Sequence, residues 1–198
     1  MKKKSNAVPI LRRPSVEQLE GQLRRERHKV RYQYALRTTI YTLLAAAAAA
    51  ILVATLWLPV LQIYGSSMSP ALEEGQLVVA VKSKKLRQGD VVAFYYNNKI
   101  WVERVIAGPG EWVDIDEDGN VFVNGEELEE PYLTEKALGQ CDIELPYQVP
   151  DNQYFVMGDH RATSADSRST TVGCVFTDAV VGRLLFRVWP LNAIQIVR

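Results

Sequence analysis

The stretch IYTLLAAAAAAILVATLWLPVLQIYGSSMSPAL, residues 40–72, divides the chain into two parts of different character. Residues 40–63 contain no charged side chain and include six consecutive alanines. In a helix these 24 residues extend about 36 Å, enough to cross a hydrocarbon core of about 30 Å with some tilt. The sequence therefore predicts one membrane-spanning helix, which we place with its flanks at 38–64. A buried core helix is one alternative.

A cleaved leader is the other alternative, and the polar residues in front of the span argue against it. The apolar region of a cleavable leader is usually about 7 to 15 residues long, shorter than this one, and 37 mostly polar residues precede it here. Those 37 residues carry eleven Lys and Arg against three Glu, whereas 38–198 carry twelve against twenty Asp and Glu. Because Lys and Arg beside a span favour the cytoplasmic side, we expect 1–37 to be a cytoplasmic tail with a juxtamembrane helix. Residues 65–198 are then the extracytoplasmic domain.

The basic run before the span bears on the partners of the chain. Lys and Arg beside a span attract anionic headgroups, so we expect contact with membrane lipids. Nucleic-acid binding is the rival explanation of such a run. The run adjoins the span and no nucleic-acid-binding motif accompanies it, so we expect no nucleic-acid partner.

After residue 64 the sequence changes to short β-forming runs separated by turn residues. Asp118-Gly119 and Asn124-Gly125 stand between apolar runs and predict hairpins. No long helical periodicity occurs in this part, which predicts a mainly β domain. The candidate strands are 77–82, 90–96, 100–107, 112–116, 121–123, 154–157 and 180–188.

The chain has two cysteines and two histidines. Disulfides persist in oxidising compartments, so an extracytoplasmic location makes a Cys141–Cys174 bond possible, with two separate thiols as the alternative. The sequence has no CxxC motif, and its His, Cys and carboxylate residues do not occur at the spacing typical of metal ligands. We therefore expect neither a metal site nor another cofactor.

Three segments of the chain combine polar residues with turn residues: GSSMSPAL at 65–72, WVERVIAGPG at 101–110 and GDHRATSADSR at 158–168. In this order they resemble the serine, lysine and glycine-aspartate boxes of type I signal peptidases, which follow the patterns GxSMxP, KRVIGxPG and GDNRxxSxDSR. The similarity extends to 86–92 and 181–191, and so to nearly everything from residue 40 onward. It implies a signal-peptidase-like complex β fold behind one transmembrane helix. It also implies a membrane-bound serine endopeptidase that removes signal peptides from exported precursors after small residues.

The first box, with Gly65 and Met68 in the family pattern, supplies the nucleophile that the resemblance implies. Ser67 would attack the scissile carbonyl and form an acyl-enzyme, with its own backbone N–H as one donor to the oxyanion. Many members have a hydroxyl two residues before the nucleophile as a second donor. Gly65 stands there in this chain, so Ser66 or a water is the alternative donor.

The third box would lie against the catalytic pair. The resemblance implies that Ser164 contacts the base, while Asp166 and Arg168 hold the loop together. A buried Asp and Arg pair is also an ordinary structural device, and for these two residues that interpretation stays open.

The second box departs from the family pattern, because Glu103 stands where the family has its general-base lysine. Burial raises the pKa of a carboxyl group, which makes Glu103 a stronger base and also favours its protonation. Lys99 is the obvious substitute, yet four residues along a strand place it roughly 13 Å away. His160 stands at the usual Asn position of the third box. Histidine as a residue type can act as a base, although a loop-stabilising role fits this residue better.

Three hypotheses follow from these residues. The first is an active signal peptidase with Ser67 as nucleophile and Glu103 at the position of the base. The second is a non-cleaving homologue that acts as a binding or assembly factor for surface proteins, and the replacement at position 103 motivates it. The third, a membrane-anchored relative of the self-cleaving repressors, needs a DNA-binding domain that residues 1–37 are too short to form.

Overall fold

The computed structural model describes residues 15–83 and 85–197, with the side chain of Gln18 left out. The first fourteen residues of the predicted cytoplasmic tail lie outside this described part. The chain divides into two compact units, Met1–Leu52 and Val53–Arg198.

One long helix, α1, runs from Val16 to Trp57. Its 42 residues extend about 63 Å, so the predicted juxtamembrane helix and the predicted span form one continuous element. The charge-free part, residues 38–57, accounts for about 30 Å of that length. The helix is long and apolar enough to cross a membrane, and its apolar window is not buried by other parts of the protein.

The prediction that the helix continues to residue 64 is wrong. The helix ends at Trp57, two residues before Pro59, whose ring disfavours helical geometry in the residue before it and removes a backbone donor. The following apolar residues form a short strand, Val60–Gln62, which pairs with the strand Leu77–Val81. Apolar character alone did not distinguish these residues from the helix.

The described residues after α1 form mainly β structure, as predicted, with two short 3₁₀ helices at Thr177–Ala179 and Leu191–Ala193. All seven predicted strands are present to within one residue at either end. Five short strands were not predicted as separate elements: Val60–Gln62, Glu126–Glu127, Tyr147–Gln148, Val175–Phe176 and Gln195–Ile196. The strands are β1 Val60–Gln62, β2 Leu77–Val81, β3 Val91–Tyr96, β4 Lys99–Ala107, β5 Trp112–Ile115, β6 Val121–Val123, β7 Glu126–Glu127, β8 Tyr147–Gln148, β9 Gln153–Met157, β10 Val175–Phe176, β11 Val180–Trp189 and β12 Gln195–Ile196.

The strands form two antiparallel sheets. The larger sheet has the order β1-β2-β11-β3-β4-β9-β10, with β12 beside β11, and the smaller has the order β7-β6-β5-β8. Alternating side chains of these strands fill three apolar clusters, and one of them joins β5 and β6 to the ends of β4 and β9. Each fully buried Val, Ile or Phe in them stabilises the fold by about 1.5–3 kcal/mol.

Strand β4 has two different halves. It pairs with β3 along most of its length, from Lys99 opposite Tyr96 to Arg104 opposite Val91. On its other edge β9 pairs with residues from Arg104 onward. Within the described chain, the edge of β4 from Lys99 to Glu103 therefore has no second strand beside it.

Candidate active site

The loop after β1 fixes the position of Ser67. The backbone N–H of Ile63 donates to the Gln76 carbonyl at 2.9 Å, which ties the loop to the residue before β2. The buried side chains of Met68 and Leu72 pack with β2 and β3 in one apolar cluster. The buried side chain of Met68 fixes the backbone at residue 68, and this holds the adjacent Ser67 in a defined position.

The third of the three sequence segments packs directly against this loop. The backbone N–H of His160 donates to the carbonyl oxygen of Ser67 at 2.8 Å. A Cβ atom on Gly158 would lie 2.5 Å from the Cβ of Ser164 and 2.8 Å from the Ser67 carbonyl oxygen. Glycine at 158 thus leaves the space in which Ser164 and the main chain of Ser67 come together.

Strand β4 brings Glu103 to the same place. Its carboxyl group is buried and lies beside the side chain of Ser67 on the wall of the same cavity. The structure therefore brings together the predicted nucleophile and the residue at the predicted base position, which lie 36 residues apart in the chain. A serine hydroxyl needs an adjacent acceptor for its proton to become a nucleophile, and this contact supplies one.

The surroundings of Glu103 raise its pKa well above the ordinary value of 4.5. Burial is the largest cause, because it disfavours the charged carboxylate, and the negative charge of Asp166 acts in the same direction. The interaction with the Ser67 side chain acts in the opposite direction and lowers the pKa of Glu103. A raised pKa strengthens the carboxylate as a base but reduces the fraction that is ionised at a given pH.

Two buried oxygens at the site lack a hydrogen-bond partner among the described residues: Oε2 of Glu103 and Oγ of Ser164. Most buried polar atoms are satisfied, and exceptions concentrate where chemistry requires them. The predicted contact between Ser164 and the base is thus not a direct hydrogen bond here. Ser164 nevertheless lies beside Gly158 and Ser67, as the packing at Gly158 shows.

A cavity of about 780 Å³ opens beside Ser67 and Glu103. Its walls are the chain from Val60 to Gly65, the free half of β4 and Ala165. Most of these residues are apolar, so the cavity suits an extended peptide with small or apolar side chains. It is lined by Val60, Leu61, Gln62, Ile63, Tyr64, Gly65, Ser67, Met68, Lys99, Ile100, Trp101, Val102, Glu103 and Ala165.

The two alternative bases do not take the place of Glu103. Lys99 lines the cavity but stands four residues earlier on β4, about 13 Å along the strand. The side chain of His160 is exposed, and its Nδ1 lies 2.6 Å from the hydroxyl of Thr163. His160 thus contacts the nucleophile loop through its backbone, and its ring belongs to the third segment's own turn.

Asp166 and Arg168 form the ion pair expected of them. The Arg168 guanidinium donates to both carboxylate oxygens of Asp166, at 2.9 and 2.8 Å, and both side chains are buried. Asp166 Oδ2 also accepts from the backbone N–H of Gly158 at 3.0 Å. The pair therefore fixes the segment that carries Gly158 and Ser164, while its acidic member raises the pKa of Glu103.

Two further buried ion pairs were not predicted. Arg104 donates to both oxygens of Asp159, at 2.8 and 2.6 Å, and stacks on the ring of Tyr132 at 3.8 Å. Arg161 pairs with Glu130. The four charged residues in 158–168 indicated that ion pairs form in this segment. The spacing of residues in the sequence did not identify the partners in the 130–132 loop.

The possible disulfide is not formed, because Cys141 and Cys174 are separate thiols in this structure. Cys174 contacts Tyr147 and packs against the apolar cluster of the smaller sheet, and burial raises the pKa of its thiol to about 11. Among the described residues, no group of three or more His, Cys, Asp or Glu converges as a metal-binding set.

Comparison with known proteins places the chain in one family. The family model described as signal peptidase, peptidase S26, matches residues 36–189. Signal peptidase IB of Staphylococcus aureus strain COL is 35% identical over 150 residues, which cover 66% of this chain and 77% of the relative. Signal peptidase I T of Bacillus subtilis strain 168 is 35% identical over 144 residues, covering 66% and 74%.

A solved structure is also similar. The crystal structure of a signal peptidase I from Enterococcus faecalis V583 has 31% identity and a TM-score of 0.44, covering 50% of this chain and 97% of that one. The match of the family model extends from α1 through the site to the end of β11. The chain therefore belongs to the signal peptidase family, peptidase S26, the membrane-anchored serine endopeptidases that remove signal peptides from precursor proteins.

Proposed function

We propose that this chain cleaves precursors with a Ser67–Glu103 pair in place of the family's serine and lysine. The position of the buried Glu103 carboxyl group beside the Ser67 side chain, on one cavity, carries the proposal. Ionised Glu103 accepts the hydroxyl proton as Ser67 Oγ attacks the scissile carbonyl carbon. The protonated carboxyl group then donates that proton to the leaving amine, and a water hydrolyses the acyl-enzyme by the same proton path.

The oxyanion that forms during the attack needs hydrogen-bond donors in a fixed position. The backbone N–H of Ser67 is one such donor, on a loop held by Met68 and by the His160 contact. The hydroxyl of Ser66 is the second donor in this proposal. Gly65 supports it through its positive φ of 83°, since glycine adopts this backbone conformation easily and so turns the chain into the nucleophile loop.

The groove beside this pair accommodates the precursor in an extended conformation. The edge of β4 from Lys99 to Glu103 offers backbone donors and acceptors, which a peptide strand can pair with by β-augmentation. The apolar walls next to Ser67 favour small, uncharged side chains near the cleaved bond. Alanine side chains, as at an Ala-x-Ala site, are uncharged and meet this requirement.

The charge pattern supports a defined membrane orientation. The basic residues of the first part of α1 precede the charge-free segment, so the N-terminus is cytoplasmic and the β domain extracytoplasmic. Arg and Lys in this part of the helix attract anionic lipids. Protease treatment of intact cells tests the orientation: cleavage products must come from the β domain, whereas protection of that domain contradicts it.

The direct test is Ser67→Ala in the full chain, assayed on a precursor with an Ala-x-Ala site. We expect cleavage to disappear because the alanine has no nucleophilic oxygen. Ser83→Ala is the matched control, since Ser83 lies outside the cavity and its hydroxyl contacts only the Lys85 carbonyl among the described residues. Unchanged cleavage by Ser67→Ala would refute the assignment.

A second candidate function, the non-cleaving binding or assembly factor, rests on one observation. The raised pKa favours protonated Glu103, which cannot accept the serine proton. Glu103→Lys separates the two functions by restoring the family residue. If the natural chain is inert and the lysine variant cleaves, the binding function is supported; if the natural chain already cleaves, the binding function is excluded.

A further inference from the structure

The cavity beside the catalytic pair carries charge at two places. Glu103 lies next to Ser67, and Lys99 lies at the other end of the free half of β4. No other residue of the cavity lining is charged. An otherwise apolar peptide groove with an exposed ammonium group discriminates among peptides by charge at that one place.

The fold fixes where Lys99 lies relative to the cleaved bond. Side chains alternate along a strand, so residues 99 and 103 are on the same face, about 13 Å apart. A tight turn at Asn97 and Asn98, both with positive φ (46° and 62°), precedes Lys99 and sets its register opposite Tyr96. A peptide paired with this edge also advances about 3.3 Å per residue, so Lys99 is reached four residues from the scissile bond.

The charge of Lys99 is not neutralised within the described part of the protein. The lysine ion pairs found there join Lys29 to Glu26 and Lys136 to Glu127, on the helix and on the smaller sheet. Lys99 forms no ion pair with any described carboxylate, and its side chain is exposed. An incoming carboxylate therefore does not have to displace an internal partner.

We infer that Lys99 selects precursors that carry a carboxylate side chain about four residues from the cleaved bond. The inference rests on the proposed function, because it assigns the groove beside Ser67 to the precursor. Lys99 acts here as a specificity-determining residue, since its amine contacts the substrate away from the reacting atoms. Glu103 repels a carboxylate placed next to the scissile bond, so the two charges together restrict acidic residues to the far end of the groove.

The test compares peptides that differ at one position. A parent peptide with an Ala-x-Ala site receives Glu, Gln or Lys in turn at the third, fourth and fifth residues on each side of the cleaved bond. We expect kcat/KM for the Glu peptide to exceed that for the Gln peptide by about 1.5- to fivefold near the fourth position on one side. An exposed ion pair is screened, so the ratio must fall toward one in about 1 M salt.

Charge reversal identifies the residue responsible. Lys99→Gln must bring the ratio of Glu to Gln peptides to about one, and Lys99→Glu must make the Lys peptide the best of the three. Lys82→Gln is the control, because Lys82 is exposed and lies outside the cavity. This control must keep the ratio of the natural chain.

A binding assay separates failure of this inference from failure of the proposed function. Fluorescent versions of the same peptides are titrated onto the full-length Ser67→Ala chain, so that preference appears without cleavage. Equal affinities for Glu, Gln and Lys peptides at every position would overturn the role of Lys99. A charge preference in binding that disappears in Lys99→Gln supports it even if no peptide is cleaved, in which case the catalytic proposal alone fails.

Discussion

Two neighbouring residues on β4, Glu103 and Arg104, are both charged and both buried, yet their surroundings differ. Arg104 donates to both oxygens of Asp159, donates to the Gly89 carbonyl at 2.9 Å and stacks on Tyr132. Glu103 lies beside Ser67, and its Oε2 atom has no hydrogen-bond partner among the described residues.

The difference separates the parts of the molecule that hold the fold from the part that performs chemistry. The three buried arginines each form an ion pair with a buried carboxylate, so their charges are compensated. Compensation of this kind makes a group a poor acid or base. Glu103 is left undercompensated, which costs stability but keeps its proton exchangeable.

The largest expected effect comes from Glu103→Gln, which keeps the size of the side chain and removes its basicity. General-base catalysis contributes about 10²- to 10⁴-fold, so we expect kcat to fall by that factor. Folding should be intact, since the amide removes a buried charge. Activity assays on the purified chain, with circular dichroism as the folding control, decide the matter. Full activity in the Gln variant would show that another group accepts the proton.

Arg104→Met tests the other member of the comparison. The substitution leaves the buried carboxylate of Asp159 without its cation, and breaking a buried pair in this way costs about 3–5 kcal/mol in the free energy of unfolding. Chemical denaturation of the full chain in detergent measures the loss. The double variant Arg104→Met, Asp159→Leu should recover much of it. Little loss in the single variant would mean that the pair is not a main support of the fold.

The sequence predicted local structure well, but it predicted contacts between distant segments poorly. Local patterns were sufficient for α1 and for the longer strands, because alternation and turn residues act within a few positions. Ser67 and Glu103 were identified by motifs, although the contact between them depends on the packing of two segments. The sequence could not show that contact, since Glu103 departs from the motif that would imply it.

Elements that depend on distant partners were missed. Val60–Gln62 was included in the span because its apolar side chains suit a membrane as well as a sheet, and pairing with β2 is what decides. The two-residue strands β7 and β8 exist through pairing with β6 and β5. Glu130 was not identified as the partner of Arg161, because 31 residues separate them.

The raised pKa of Glu103 also makes the free energy of unfolding depend on pH. The pKa of Glu103 is higher in the folded than in the unfolded chain, so the folded state binds more protons between the ordinary value of 4.5 and the folded-state value. Its contribution to stability is therefore present below about pH 4.5 and is lost as the pH rises through the folded-state pKa. One group changes the free energy of unfolding by at most about 1.4 kcal/mol per pH unit.

The measurement is the difference between the natural chain and Glu103→Gln, followed by denaturation at several pH values. Titratable groups that do not interact with Glu103 cancel in this difference, so the remainder reports Glu103 and its acidic neighbours Asp159 and Asp166. The natural chain should lose stability relative to the variant as the pH rises, while its cleavage rate increases because ionised Glu103 is the base that we propose. Parallel stability curves would contradict the shifted pKa.

The smallest expected effects concern Ser164 and Ser167 in the third segment. Like Arg104, Ser167 has hydrogen-bond partners for its polar side chain, whereas Ser164, like Glu103, has a buried oxygen without a partner among the described residues. Ser167 Oγ accepts from the Val156 N–H at 3.0 Å and donates to the Gly173 carbonyl at 2.9 Å. Ser164 Oγ is buried without a partner among the described residues. Ser167→Ala should therefore lower the free energy of unfolding by about 1–3 kcal/mol, because a buried donor and a buried acceptor lose their partner.

Ser164→Ala should leave the free energy of unfolding unchanged or raise it by up to about 1 kcal/mol, since the alanine removes a buried hydroxyl that makes no hydrogen bond to the described protein. Its cleavage rate should nevertheless fall, because the hydroxyl lies beside Gly158 and the main chain of Ser67. The opposite result, a destabilised chain with full activity, would place Ser164 among the groups that hold the fold. Denaturation and cleavage assays on the two alanine variants therefore decide, within one short segment, whether an unsatisfied polar atom marks the catalytic part of this molecule.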